Sequence, residues 1–389
     1  RAISTLGVPA EAVTPAEADE LIEIGARVAF RHPLLRSAIY RAAHPEERRA
    51  AHGALAAATD PEVDPDRRAW HRAHSTLAPN DDVADELERS ADRAQRRGGL
   101  AAAAAFLQWA TTLTADPARR GARALDAAQA TFKAGGPDAA LELLGTAHIS
   151  PLDTLQRARL ERLRAQIAYV TSRGPDAPQL LLDVAGVLEP LDAGLLRATF
   201  LDAFAASISA GRVAGDRAVR DVAEAARAAP RGPGRRGATD LLVDSLAIRF
   251  TDGSAAAVPS LQRALRALTR ERLVHEADLS WLWMVSQVAH EVWDDEALYS
   301  SADRALQTAR EQGALTALPG LLDYRADLYM HNGRFHDAAA LIGEADAISE
   351  ATGTRRYSAN RVSHCAHCRV PFRVVTLIRS SAPAGTSFF

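Results

Sequence analysis

The feature that most constrains the fold of this chain is a glycine that recurs at nearly constant spacing, each time just before an Ala- and Leu-rich segment. The recurring glycines are Gly99, Gly136, Gly174, Gly211, Gly253 and Gly333. Neighbouring glycines lie roughly 37 to 42 residues apart, except for a last interval of about twice that length. The segment 293–297, Trp-Asp-Asp-Glu-Ala, falls in the middle of this last interval and fills the missing step.

A repeat of about 40 residues accommodates two helices and two turns. A single helical hairpin of this size cannot bury its apolar face, so such hairpins stack into a solenoid. A glycine before the second helix suits a tight turn between helices. We therefore predict an all-α fold, a tetratricopeptide-like helical-hairpin solenoid. The alternative is an irregular bundle of Ala-rich helices.

Composition agrees with a helical, folded protein. Of the 389 residues, 47% are hydrophobic and 24% are charged, which is typical of a globular protein with a large core. The apolar residues are mainly Ala, Leu and Val, and Ala and Leu are the apolar residues with the highest helix propensity. The net charge of −3 creates no strong attraction for nucleic acid or for an anionic membrane, so we expect neither as a direct partner.

The sequence also predicts a cytoplasmic location. No apolar run approaches the roughly 20 residues that a membrane-spanning helix needs, and no secretory signal opens the chain. Both cysteines, Cys365 and Cys368, lie near the C-terminus, which excludes a framework of disulfides.

Residues 1–62 predict a small winged-helix-like module. The Thr-Pro-Ala-Glu capping box at 14–17 predicts a helix that runs to about residue 23. Alternating apolar and polar residues at 26–31 predict one strand. Two further helices are expected to begin at Pro33 and Pro45, because proline is favoured in the first turn of a helix.

The rest of the chain divides by composition. We predict a first part of the repeat array at 63–230, a Pro-, Gly- and Arg-rich linker at 231–238, and a second part of the array at 239–355. The segment 356–389 breaks the Ala/Leu pattern and contains no acidic residue after Arg361. We interpret this tail as translated out of frame or as not native to the domain.

No motif predicts catalysis. A P-loop requires G-x-x-x-x-G-K-[ST], and Lys133, the only lysine, has neither the glycines before it nor Ser or Thr after it. The G-x-G-x-x-G match at 232–237 contains Pro233 and follows a helix, so it predicts a loop and no dinucleotide site. We therefore expect this chain to be neither an enzyme nor the carrier of a bound cofactor.

The histidines and cysteines do not predict a metal site. The four candidate ligands His364, Cys365, His367 and Cys368 are too close together to wrap one tetrahedral zinc ion, and no second pair of ligands exists elsewhere. The pair His71-x-x-His74 lacks the partners of a metalloprotease helix.

Three tryptophans, Trp281, Trp283 and Trp293, cluster in a chain that is poor in aromatic residues. Aromatic walls suit small-molecule pockets, so these residues are candidate ligand contacts. The alternative is packing between repeats, because Trp281 shares a helical stripe with Val285, Val288 and Val292.

Several segments resemble a known family. The sequence FRHPLLRSAIY at 30–40, followed by EERRAAH at 46–52, resembles the segment just after the ATPase core of large LuxR-type transcriptional regulators, the MalT-like group of signal-transducing ATPases. The segments DELERSA at 85–91, LQRARL at 155–160 and WDDEA at 293–297 are similar to that family as well. The resemblance spans roughly residues 20 to 353.

Members of this family have a P-loop ATPase, a winged helix, a tetratricopeptide-like sensor array and a C-terminal helix-turn-helix. The resemblance implies that this chain, which begins at Arg1, is the middle of such a protein. ATP or ADP would then bind only to the full-length protein. It also implies that His32, with Arg36 one turn on, contacts the phosphates of bound ADP. The alternative is that His32 caps the helix that starts at Pro33.

The resemblance implies a sensor segment in a bacterial transcription regulator. Its array would bind a small-molecule inducer or a protein partner and pass the signal to the ATPase and DNA-binding domains. The alternatives are a stand-alone repeat scaffold that grips a protein or peptide, and the repeat region of a nucleotide cyclase-type signalling protein. A solenoid that lacks its neighbouring domains exposes apolar surface, so we also expect self-association.

Overall fold

The computed structural model describes residues 2–24, 28–172, 176–210, 215–230, 236–270 and 281–355. The tail 356–389, the glycines at 174 and 211 and most of the expected linker lie outside these residues. The described chain is all-α apart from one β-hairpin, with strands β1 (Ile22–Ile24) and β2 (Val28–Phe30). Its helices are α1 (Ala2–Thr5), α2 (Thr14–Ala18), α3 (Pro33–Ala42), α4 (Pro45–Ala58), α5 (Pro65–Ser75), α6 (Asp81–Arg96), α7 (Leu100–Leu113), α8 (Pro117–Lys133), α9 (Pro137–His148), α10 (Thr154–Ser172), α11 (Ala177–Leu188), α12 (Ala193–Ala210), α13 (Gly215–Ala228), α14 (Ala238–Asp252), α15 (Ser254–Arg270), α16 (Trp283–Glu291), α17 (Asp295–Gln312), α18 (Leu318–His331) and α19 (Phe335–Thr352).

Helices α4 to α19 form helical hairpins. Each helix packs on the next one in the chain, and helices two positions apart also touch, as α8 does with α10 and α12 with α14. Helices α13 and α14, on either side of the expected linker, pack directly against each other. One buried apolar cluster extends from Ala158 to Ala345 and includes residues of both parts of the array.

The turns inside the hairpins share one backbone feature. A residue with positive φ lies between the two helices in five described hairpins: Gly98 (φ 78°), Gly135 (φ 96°), Gly253 (φ 95°), Trp293 (φ 60°) and Gly333 (φ 73°). Glycine adopts this left-handed conformation without the clash that Cβ causes in other residues. The prediction that segment 293–297 takes the place of a glycine step is therefore confirmed, with Trp293 in the position of the glycine.

Ion pairs link the even-numbered helices of successive hairpins. The arginine and its carboxylate partners are 33 to 47 residues apart, close to the spacing of the glycines. Each pair therefore joins the first helix of one hairpin to the first helix of the next. The pairs are Arg123 with Asp85 and Glu88, Arg159 with Asp126, Arg162 with Asp202, Arg197 with Asp240 and Asp244, and Arg249 with Glu291.

Three of these arginines are buried, with 4 to 9% of the side chain exposed at Arg123, Arg162 and Arg197. The Arg162 Nη2 atom donates to Asp202 Oδ2 at 2.5 Å, and the Gln166 amide donates to the same oxygen at 2.8 Å. A buried charge is tolerated only when it is paired, so these contacts constrain the register in which neighbouring hairpins pack.

Helix α10 begins at Thr154, where Asp153 and Gln156 cap its first turn. The Gln156 backbone N–H donates to the Asp153 carboxylate at 2.7 Å, and the Gln156 side chain accepts from the Asp153 backbone N–H at 3.0 Å. Four apolar residues at helical spacing form the buried stripe of this helix and belong to one cluster: Leu160, Leu163, Ile167 and Val170.

The N-terminal part differs from its prediction in two places. Helix α2 begins at Thr14 without a side-chain cap and ends at Ala18, so the predicted capping box and the helix to residue 23 are wrong. The chain turns at Glu20 (φ 53°) into β1, which pairs antiparallel with β2. The single strand expected at 26–31 is thus one half of a hairpin, and its other half, Ile22–Ile24, overlaps the end of the expected helix.

The last two hairpins contact the turns of much earlier ones. The Thr316 hydroxyl donates to the carbonyl of Phe132, although the two residues are 184 positions apart. The Arg355 backbone N–H donates to the carbonyl of Val170 at 2.8 Å. A Cβ at Gly98 would lie 2.7 Å from the Glu311 carbonyl oxygen, so this close approach is a second reason for glycine there.

Helix α12 is long and apolar enough to cross a membrane by length and hydropathy. However, 67% of that segment is buried inside the fold, and it contains the ion-paired Arg197 and Asp202. A core helix of a folded domain has the same properties, so α12 is accounted for by its packing.

Candidate functional site

His32 caps helix α3. Its Nδ1 atom accepts a hydrogen bond from the Leu34 backbone N–H at 3.2 Å, and its backbone is extended, as at a helix N-cap. The capping role that the sequence left open is therefore confirmed. His32 and Arg36 are both exposed, so their side chains are accessible to a neighbouring domain or ligand. A contact with ADP phosphates stays a prediction.

Helix α3 presents apolar side chains to solvent. The exposed fractions are 69% at Leu34, 50% at Ile39 and 44% at Tyr40. This helix contains most of the segment at 30–40 that carries the family resemblance. Leu34 and Ile39 are five positions apart, which separates them by about 140° around the helix axis. The exposed apolar side chains are therefore distributed around α3 and do not form one face.

A partly buried cluster of histidines and aromatic rings joins α3 and α4 to the first hairpins. The Tyr40 hydroxyl lies 3.0 Å from His52 Nε2, and His52 Nδ1 lies 2.9 Å from His71 Nδ1. The His74 ring stacks on His52 with ring centres 4.8 Å apart. The same ring lies 4.5 Å from Trp70 and 4.5 Å from Trp109, measured between ring centres.

The electrostatics of this cluster favour uncharged rings. Burial lowers the pKa of His52 and of His71, and burial with the two neighbouring imidazoles lowers the pKa of His74 to about 4. In the His52–His71 contact one Nδ1 must carry a proton and donate it while the other accepts, so the accepting ring must be neutral. The Nε2 atoms of His71 and His74 are buried and have no hydrogen-bond partner.

Sequence reasoning missed this cluster. His71 and His74 were considered only as metal ligands, and His52 lies 19 residues away from His71 on another helix. No local sequence pattern predicts that α4 and α5 bring these rings together. Among the described residues, no group of three or more His, Cys, Asp or Glu side chains is placed to hold a metal ion.

The three candidate tryptophans do not converge on one site. Trp281 and Trp283 are 2% and 9% exposed and belong to the main core cluster, where Val285 and Val288 accompany them. Trp293 is 86% exposed at the other end of α16, near His290. The cavity beside α16 has a volume of about 40 Å³, which is water-sized and far below the volume of a ligand pocket. Trp281 and Trp283 therefore pack between repeats, which was the alternative to a role as ligand contacts.

Comparison of the chain with protein-family models finds no match, and comparison with curated proteins finds no significantly similar one.

Proposed function

We propose that this chain is the sensor and regulatory segment of an ATP-dependent LuxR-type transcriptional regulator. Its hairpins form a tetratricopeptide-like solenoid that binds an inducer or a partner. Its first 62 residues form a winged-helix-like module that passes the signal to an ATPase domain. These residues perform no chemistry, and the mechanism is a shift between conformational states with different affinities.

The observation that carries this proposal is the exposure of apolar side chains on α3. Leu34 and Ile39 lie in the segment that resembles the family, and their exposed fractions are 69% and 50%. In the proposed protein, the preceding ATPase domain contacts these side chains. His32 and Arg36, exposed on the same helix and its cap, then lie at the boundary with the nucleotide-binding domain.

The histidine cluster supports the coupling. Tyr40 and His52 belong to the module, whereas His71, His74 and Trp109 belong to the first hairpins. Because these rings are packed together, a movement of α3 or α4 displaces α5 and α7. Coupling between sites requires such a continuous packed connection or a shared two-state element.

A second candidate, an interaction scaffold without an ATPase, is favoured by the tryptophans. The expected aromatic-lined pocket is not formed by Trp281 and Trp283, whereas Trp293 projects into solvent. Exposed tryptophan is enriched among the residues that dominate protein–protein interfaces.

The test is capture of the polypeptide that the same gene region encodes immediately upstream. We expect it to bind this chain and we expect Leu34→Glu to abolish binding, because a carboxylate on α3 would be buried without a partner. Val63→Glu is the matched control, since Val63 is 81% exposed and lies outside α3. Equal binding by Leu34→Glu and the parent chain would contradict the proposal.

A further inference from the structure

The turn between α17 and α18 and the end of α19 meet the turns and helix ends of much earlier hairpins. The Thr316 hydroxyl donates to the carbonyl of Phe132, the next-to-last residue of α8. The Arg355 backbone N–H donates to the Val170 carbonyl at 2.8 Å, and the Arg355 Nη1 atom donates to the Ser172 carbonyl at 3.4 Å. We call this set of contacts the clasp, with residues 311–316 and 352–355 on one side and residues 98, 132–135 and 170–172 on the other.

Two glycines allow the clasp to close. A Cβ at Gly98 would lie 2.7 Å from the Glu311 carbonyl oxygen. A Cβ at Gly135 would lie 2.7 Å from Leu315 Cβ and 2.8 Å from Thr352 Cγ2. These distances are well below the roughly 3.5 to 4.0 Å of an optimal contact between carbon atoms. The two sides can therefore approach this closely only because both positions lack a Cβ.

The equivalent glycines of later hairpins have no such neighbours. The φ angle is 95° at Gly253 and 96° at Gly135, and it is 73° at Gly333 and 78° at Gly98. A Cβ at Gly253 or at Gly333 would meet no heavy atom within 4 Å. The left-handed backbone thus belongs to the repeat, whereas the close approach at residues 98 and 135 is specific to the clasp.

Helix ends supply the hydrogen-bond acceptors of the clasp. Phe132 belongs to the last turn of α8, and Val170 and Ser172 belong to the last turn of α10, where carbonyls lack part of their intrahelical donors. The last turn also carries the negative end of the helix dipole, which favours the Arg355 cation beside it. When the contact separates, water can take the place of each lost donor, so opening leaves no helix carbonyl stranded in an apolar core.

The clasp also buries less apolar surface than the contacts between successive hairpins. Leu315 is 37% exposed even though its Cβ lies against the Gly135 turn. Successive hairpins instead pack along whole helices and share one apolar cluster that extends from Ala158 to Ala345. Separation of the clasp therefore exposes less apolar area to water than separation of two successive hairpins.

We propose that the clasp is a conformational switch, which holds the repeat array closed and separates while the helices on both sides stay folded. A ligand or partner that binds only the open array shifts the population towards the open state. This inference goes beyond the regulator proposal, because it concerns contacts within this chain and requires no ATPase domain.

The test compares Gly135→Ala with Gly253→Ala in the full chain. Both variants carry a similar backbone penalty because their φ angles are nearly equal, but only the Cβ at residue 135 would collide with Leu315 and Thr352. X-ray scattering of the monomer eluting from a size-exclusion column measures the radius of gyration, and hydrogen exchange at single amides measures the protection of the Arg355 N–H. We expect Gly135→Ala to increase the radius of gyration and to speed exchange at Arg355 at least about tenfold, because overpacking destabilises the closed state. We expect Gly253→Ala to leave both quantities at their parent values.

The amides within α10 and α18 should keep their protection in Gly135→Ala, because these helices stay folded when the clasp separates. Equal scattering and exchange by the two variants would overturn the proposal. Faster exchange throughout α10 and α18 along with Arg355 would overturn it too, because the contact would then be part of the core.

A second pair of variants keeps the test decisive if Gly135→Ala does not fold. Gly98→Ala, with Gly333→Ala as its control, repeats the comparison at the other close approach. Failure of both clasp variants to fold while both controls fold would also overturn the proposal. None of these outcomes depends on an upstream ATPase, so the regulator proposal stands or falls on its own test.

Discussion

Replacing Trp293 with glycine is expected to stabilise the fold, although it removes the largest side chain of the protein's repeat turns. Trp293 has φ 60°, the left-handed conformation that glycine adopts at the equivalent position Gly333 with φ 73°. A residue with Cβ loses roughly 1 to 2 kcal/mol in this conformation. Glycine also has more conformational freedom in the unfolded chain, which offsets about 0.5 to 1 kcal/mol of the stabilisation expected from the substitution.

The indole itself contributes little that would be lost. It is 86% exposed, and its visible partner is the His290 ring at 6.2 Å. The net change in the free energy of unfolding is therefore a gain of about 0.5 to 1 kcal/mol. Gly333→Ala is the mirror control, because a Cβ there meets no atom within 4 Å and carries only the conformational penalty. We expect it to destabilise by about 1 kcal/mol.

Urea unfolding followed by far-UV circular dichroism measures both variants without relying on tryptophan fluorescence. The two variants should shift the midpoint in opposite directions. A loss of stability in Trp293→Gly would refute this reasoning, because it would mean that the indole makes contacts that outweigh the backbone strain. An unchanged midpoint in Gly333→Ala would refute the assigned backbone penalty.

Three further outcomes follow from the buried charges, the histidines and the exposed helix. Asp202→Ala should destabilise by about 3 to 5 kcal/mol in urea unfolding, because it removes the buried carboxylate that pairs with the buried Arg162, whereas Asp126→Ala in an exposed pair should change stability by under about 1 kcal/mol; similar losses in both would contradict this. The lowered pKa of His74, about 4 against 6.5 in the unfolded chain, means that the unfolded state binds more protons between these values, so stability should fall as pH decreases from 6.5 to 4. In His74→Phe this fall should be shallower, and an identical pH profile would argue against the neutral cluster. Size-exclusion chromatography should show self-association of the chain that Leu34→Glu reduces, and a concentration-independent monomer of the parent chain would count against an uncovered apolar surface on α3.

Local patterns accounted for most of the helical hairpins. Glycine spacing, proline at helix starts and apolar stripes act over a few residues, so the sequence reveals them directly. The stripe of α10 and the turn at Trp293 are examples. The strand β1 was missed because Ile22–Ile24 is only three residues long and continued an apparent helical pattern.

Contacts between distant residues were not predictable in the same way. The hydrogen bond from Thr316 to Phe132 joins residues that no periodicity connects. The histidine cluster also assembles side chains from separate helices. The three tryptophans illustrate the same limit. They are close in sequence, but Trp293 is exposed whereas Trp281 and Trp283 are buried in the core.

The most direct test of the central claim is to sequence the DNA on both sides of this reading frame and translate every frame. The account predicts a P-loop ATPase encoded upstream, and a helix-turn-helix encoded downstream in a shifted frame that begins near codon 356. Finding neither motif would contradict the regulator proposal and leave a stand-alone helical-repeat protein.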